Sequence, residues 1–260
     1  MSTEPRLCDV GNPRIDRSYV GPVTLTAEEL VERLDVALTS RADPTRVPAM
    51  TAYMRDQFPY LGVPAPGQRA AWREATPDLP GLLDQQLVVD ATTALWARDE
   101  REYQYVGLTL VNRHAASSAA TPELLELQRT LIRTKPWWDT VDALATRGVG
   151  AVVFRYQGLR STMDEWLAGD HLWLTRTALL HMNRWKQDTD RDWLFAACLA
   201  CSAHRDFFIR KAIGWALREY TKVDEHTVIA FVQQHEAELS GLSRKEALMW
   251  LERRRRRTGS

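Results

Sequence analysis

The sequence predicts an all-α protein, an α-solenoid of antiparallel helix pairs with one concave face. Three observations point there. Apolar residues recur at i, i+3 and i+4 through most of the 260 residues. Segments of ~12–18 residues open with Asp, Ser or Thr, whose side chains accept from the first free backbone N–H groups of a helix. The segments pair, and the pairs recur every ~35–45 residues, a period typical of stacked helical repeats. No sustained β-alternation competes, although "GVGAVVF" reads as a strand in isolation.

Residues 1–25, with Gly11, Pro13, Gly21 and Pro22 and no periodicity, read as an irregular arm. The domain spans 26–251. It opens with "TAEELVERLDVAL", where Thr26 and Glu29 form a capping box. "DPTRVPAMTAYMRDQF" gives a short loop and a second helix stopped by Pro59. "PYLGVPAPGQRAAW" gives a loop, then a helix from about Gln68. "PGLLDQQLVVDATTALWA" predicts a helix broken near Asp99, and "DEREYQYVGLTLVNRHA" the next. "TPELLELQRTLIRT" places Thr121 as N-cap and Pro122 at the first helical position. "KPWWDTVDALATRGVGAVVFRY" follows as one long helix. After it come "MDEWLAG", "DHLWLTRTALLHMNRW", "DRDWLFAACLACSAH", "DFFIRKAIGWALREYTK" and "DEHTVIAFVQQHEAEL". The period is that of HEAT-like repeats. Residues 252–260 read as a basic, disordered tail, because Arg253 to Arg257 form a like-charge run.

Composition excludes several classes. No apolar run approaches the ~18–20 residues of a membrane span. "MSTEPRLCDVG" carries no apolar core or cleavage site of a signal peptide. Three cysteines make no disulfide framework, so the expected location is cytoplasmic. Formal net charge is zero, which does not advertise nucleic-acid binding, yet residues 201–260 hold 12 Lys/Arg against 8 Asp/Glu. Cys198, Cys201 and His204 offer C-x₂-C-x₂-H, but zinc wants four ligands and no second cluster lies nearby. No metal and no cofactor is expected. No P-loop, G-x-G-x-x-G or H-E-x-x-H occurs. Trp72, Trp96, Trp166, Trp185, Trp193 and Trp250 read as packing residues.

The chemistry concentrates in "TKPWWDTVD". Trp138 and Asp142 are four apart and share a helical face. A carboxylate on an apolar face is costly unless paired or used. Arg176 follows Trp173 by three residues, and Trp215 lies one turn from Lys211 and Arg218. Cations interleaved with aromatics suit a phosphate and sugar backbone.

"YMRDQFPYLGVPAP", "DEREYQYVGLTLV", "TKPWWDTVD", "WLTRTALL", "DFFIRKAIGWALREYTK" and "LSRKEAL" together resemble the AlkD family of DNA alkylation-repair glycosylases, from about Met50 to Leu251. The resemblance implies a solenoid whose concave face holds duplex DNA containing alkylated purines. It implies that Asp142 is catalytic, that Trp138 and Trp215 flank the lesion sugar, and that Arg176 contacts the DNA backbone. Tyr53 falls near the same site, with Arg69, Lys211 and Arg218 as phosphate contacts and Trp137 packing the other way. Excision of cationic N3- or N7-alkylpurines without base flipping, by a monomer, is the implied activity. A relative that excises bulky N3-adenine adducts, and a non-catalytic solenoid that binds DNA or protein, are the alternatives.

Overall fold

A computed structural model describes residues 25–258; the expected N-terminal arm lies outside the described residues apart from Leu25. Helices α1 (Ala27–Thr39), α2 (Val47–Tyr53), α3 (Ala65–Ala75), α4 (Gln85–Ala97) and α5 (Arg101–Ala115) build the first part. Then come α6 (Leu124–Arg133), α7 (Trp138–Ala143), α8 (Gly150–Arg155), α9 (Arg160–Ala168) and α10 (Leu172–Leu180). Helices α11 (Arg191–Ala200), α12 (Phe207–Thr221), α13 (Glu225–Gln234) and α14 (Gly241–Thr258) close the chain. No strand occurs among the described residues. The fold is an α-solenoid, with pairs such as α4–α5, α9–α10 and α12–α14 packed along their lengths.

The caps explain most helix starts. The Thr26–Glu29 box is reciprocal: Glu29 N–H donates to Thr26 Oγ1 at 3.1 Å and Thr26 N–H to Glu29 Oε2 at 2.8 Å. Asp84, Asp190, Asp206 and Asp224 cap α4, α11, α12 and α13 from one side only, each carboxylate accepting from a first-turn N–H. Two apolar clusters result. One is built on Leu30, Leu34, Leu38, Val88 and Leu95, the other on Leu124, Leu144, Val152, Leu179 and Ile213. Trp96, Trp166 and Trp185 are buried, while Trp72, Trp193 and Trp250 are half-buried.

Four boundaries differ from the sequence expectation. Helix α2 stops at Tyr53, five residues short of Phe58, because Arg55 and Asp56 adopt positive φ (56° and 57°) and turn the chain. Helix α3 starts at Ala65 rather than near Gln68. Helix α6 starts at Leu124: Thr121 N–H is taken by Gln85 Oε1 and the chain turns before the helix begins. Helix α14 runs through Thr258, so the Arg253 to Arg257 run continues a helix where a disordered tail was expected.

"GVGAVVF" is helical, as the long-helix reading requires, but the run from Trp138 to Arg155 is not uniform. Leu144–Val149 is a π-helix between α7 and α8. A π segment inserts an extra residue per turn and is frequent beside functional sites. It buries Leu144, Ala145, Gly148 and Val149. The tight approach beyond it depends on Gly150, where a Cβ would lie 2.2 Å from the His181 carbonyl oxygen.

Candidate active site

The two aspartates of "TKPWWDTVD" do different things. Asp139 faces Arg101, which is wholly buried: Nε donates to Oδ2 at 3.0 Å and Nη2 to Oδ1 at 2.7 Å. The same guanidinium donates to the Lys135 carbonyl and to Thr140 Oγ1, both at 2.9 Å, and lies 3.8 Å from the Phe58 ring centre. Tyr105 adds a hydroxyl donor to Asp139 at 2.8 Å. Next to Arg101, buried Glu102 accepts from the N–H groups of Leu61, Gly62 and Val63. The start of α5 therefore ties the α2–α3 loop to the turn before α7. That fixes where Tyr53 and Trp138 meet, with ring centres 6.1 Å apart and edge to face.

Asp142, one turn on, is held by Arg176 of α10. Arg176 Nε donates to Oδ1 at 2.7 Å and Nη2 to Oδ2 at 2.8 Å, a bidentate pair. Arg176 Nη1 donates to the Phe208 carbonyl at 2.5 Å. The Arg176 side chain is 6 % exposed and that of Asp142 is 18 % exposed. Burial pushes the Asp142 carboxyl above its ordinary value, and the Arg176 hydrogen bonds and charge pull the other way. Three of the Arg176 donors are thus engaged within the protein, while the residue still lines the cleft that opens above the pair.

Above this pair opens a cleft of about 250 Å³ walled by Tyr53, Trp138, Arg176, Lys211, Trp215 and Arg218, with Arg55, Phe207 and Glu246 at its edges. Tyr53 is 72 % exposed, an open aromatic with little packing reason to be there. Trp215 is half-buried and donates its indole N–H to Glu219 Oε1 at 3.2 Å. Trp137 packs behind the cleft against Trp173 and Phe208, at 5.9 and 5.3 Å between ring centres, with one edge still reaching the wall. Asp142 is not itself a wall residue. Its near neighbours in the chain, Ala143 and Thr146, line a second opening.

The remaining phosphate candidates divide. Lys211 donates to Glu246 Oε2 at 2.5 Å, and Arg218 pairs with Oε1 of the same carboxylate. Both cations keep part of their surface open but share one buried counter-charge from α14. Arg69 is exposed on α3 and does not line the cleft. Sequence reasoning missed Glu246 and Arg55. Glu246 sits inside the quoted "LSRKEAL", but nothing in spacing says that it faces α12, 28 and 35 residues away. Gly214 permits the approach, since a Cβ there would lie 2.4 Å from Glu246 Cβ.

Cys198 and Cys201 are buried free thiols, with the Cys201 thiol pushed up to about 11 by burial. Among the described residues no group of three His, Cys, Asp or Glu side chains could hold a metal ion. No described helix is long and apolar enough to cross a membrane.

Comparison with known proteins agrees with the fold and the motifs. The sequence model of the DNA alkylation repair enzyme family matches residues 34–251. The chain belongs to that family. A solved structure described as a predicted DNA alkylation repair enzyme from Enterococcus faecalis superposes with a TM-score of 0.72 at 28 % identity. The match covers 81 % of this chain and 97 % of that one. No curated protein matches the chain. Family membership makes DNA the expected partner and repair of alkylation damage the expected setting of the cleft.

Proposed function

We propose that the protein is a monofunctional DNA glycosylase that hydrolyses the N-glycosidic bond of cationic N3- or N7-alkylated purines in duplex DNA. One observation carries this reading: a single carboxylate, Asp142, held in a fork by Arg176 beside a cleft of open aromatic rings. That is too little apparatus to activate a neutral leaving base. It suits a base that alkylation has already made cationic.

In the proposed reaction the C1′–N bond breaks and its electron pair goes to the base, which leaves neutral. Positive charge builds on the deoxyribose. Ionised Asp142 stabilises that charge, as preorganised electrostatic groups do where charge develops. The indoles of Trp138 and Trp215 present electron-rich faces to the same cation. Water adds its oxygen to C1′ and releases a proton. Arg176 acts through Asp142, keeping it ionised and fixing both oxygens, rather than on the backbone.

The cleft offers aromatic walls, and its buried polar side chains, Arg176 and Glu246, are already paired with Asp142 and with Lys211 and Arg218. Excision without base flipping is part of the proposal, and bulky N3-adenine adducts are excised by the same chemistry if the adduct stays outside the cleft. The test is single-turnover excision from duplexes carrying 7-methylguanine, 3-methyladenine or a bulky N3-adenine adduct. Release of a methylated purine supports the reading. Release of the bulky adduct alone assigns the specialised function. Binding with no release from any of them leaves a non-catalytic DNA-binding solenoid.

A further inference from the structure

Four cations line the aromatic cleft, Arg55, Arg176, Lys211 and Arg218, and Glu246 is the one acidic residue among its described lining residues. Arg55 is exposed and has no ion pair among the described residues. Arg176 is matched by Asp142. Lys211 and Arg218 share Glu246. The Glu246 side chain is 7 % exposed, against 35 % for Lys211 and 22 % for Arg218. The carboxylate is too enclosed to grip a ligand itself, while both of its partners are open to one. Burial works to raise its carboxyl, but the hydrogen bonds and charges of Lys211 and Arg218 hold it below its ordinary value, so it is ionised at neutral pH.

The place of this triad gives its charge a consequence. Lys211, Trp215 and Arg218 follow one another at helical spacing on α12, so the two cations flank the indole on one face. Trp215 is one of the rings proposed to meet the sugar. An alkylpurine that is already cationic, and a sugar that becomes so, are both repelled by Lys211 and Arg218. Without Glu246 the pair would carry two positive charges beside Trp215; with it the triad carries one. Phosphate responds the other way. A further uncompensated cation strengthens binding to every duplex, damaged or not, and so weakens discrimination.

We infer that Glu246 is a specificity-determining residue: its buried charge offsets Lys211 and Arg218 around Trp215, so that the cleft admits a cationic alkylpurine nucleotide and holds unmodified duplex less tightly. It acts through the two cations and touches no substrate. The inference rests on the cationic-substrate reading of the cleft, but its readout is binding and not excision.

The test is equilibrium binding of the full chain to three duplexes of one sequence over a series of salt concentrations, at times short against base release. One duplex carries guanine, one cationic 7-methylguanine, and one its uncharged isostere 7-methyl-7-deazaguanine. Glu246→Gln keeps the shape and an acceptor and removes the charge. It should tighten binding to the guanine duplex and steepen the slope of log K against log salt by about 0.9. It should also lower the preference for the cationic lesion over its isostere by roughly three- to tenfold, the scale of one charge acting in a partly screened cleft. Adding Lys211→Gln returns the triad to one positive charge and should restore both quantities. Lys211→Gln alone leaves Glu246 paired with Arg218 and should move slope and preference in the opposite directions, which keeps the inference testable if Glu246→Gln does not fold. Asp78→Asn, which removes a carboxylate paired with Arg33 on α1 outside the cleft lining, is the charge control and should change neither. An unmoved slope and preference, or weaker binding of the guanine duplex by Glu246→Gln, overturns the inference. Shifted slope and preference in a chain that releases no base support it and refute the glycosylase reading. Release by the wild-type chain with an unmoved preference in the variants does the reverse.

Discussion

Replacing Arg176 by alanine separates two roles that the sequence alone merges. A backbone arginine, once removed, weakens binding to every duplex and flattens the salt dependence by about one counterion. An arginine that holds a carboxylate leaves binding and slope nearly alone and acts on excision. The geometry favours the second outcome. Arg176→Ala deletes two charge-assisted hydrogen bonds to Asp142, at 2.7 and 2.8 Å, and one to the Phe208 carbonyl. Breaking a buried pair from one side costs about 3–5 kcal/mol, and the 18 % exposure of Asp142 puts this one near the lower end. The stranded carboxylate can escape that cost by taking a proton. Burial already raises its pKa, and Arg176 supplies the influences that lower it. The acid limb of the excision profile should therefore move to higher pH. At neutral pH excision should fall by about 10²–10³-fold, the loss of one electrostatic stabiliser. Arg176→Lys restores charge without the fork and should rescue only part of this. The assay is single-turnover excision of 7-methylguanine across pH, beside salt titrations of duplex affinity. Undiminished excision with an unshifted profile, or a loss of one counterion's slope in its place, would refute the reasoning.

Further expectations follow from the same contacts. In the wild-type chain, excision should lose activity on acidification at a pH above the ordinary aspartate value, because Asp142 must be ionised and its pKa is raised; a limb at or below that value contradicts the burial argument. Arg101→Ala should destabilise the chain by about 3–5 kcal/mol in denaturant unfolding, because it leaves Asp139 buried without its partner. Gly150→Ala should cost about 1–3 kcal/mol, since its Cβ meets the His181 carbonyl, and an unchanged midpoint would show that the helices can part without penalty. Burial works to raise the Glu246 carboxyl, but the hydrogen bonds and charges of Lys211 and Arg218 hold it below its ordinary value. A depressed folded pKa stabilises above the unfolded value and loses that stabilisation as pH falls through the folded one. Glu246→Gln should thus remove stability at neutral pH and little in acid, as thermal unfolding at two pH values will report.

The helices were legible in the sequence because their caps and apolar spacing are local. Thr26 with Glu29, and Asp190, Asp206 and Asp224, mark starts that the structure keeps. The ends were less legible. The positive φ at Arg55 and Asp56 carries no glycine to announce it, and no local signal shows that α6 begins only at Leu124. At the candidate site, residue types and spacing singled out Trp138, Asp142 and Trp215, and the family resemblance added Tyr53; all four lie at or beside one cleft. Spacing did not show that Arg176 folds onto Asp142, a carboxylate 34 residues earlier. Zero net charge was read as a weak objection to DNA. In the structure the charge is sorted: Asp139, Asp142 and Glu246 are internal partners, while Arg55, Arg147 and Arg184 are exposed without an ion pair among the described residues.

The central claim is that the Asp142 carboxylate carries the chemistry and that binding does not depend on it. Asp142→Asn keeps the size of the side chain and one acceptor for Arg176 while removing the charge. The direct measurement is the single-turnover rate of 7-methylguanine release by this variant at saturating protein, with duplex affinity measured alongside. The account predicts a rate about 10²–10³-fold lower and an affinity unchanged or tighter, because a negative charge near phosphate is gone. Release at the wild-type rate by Asp142→Asn would contradict it.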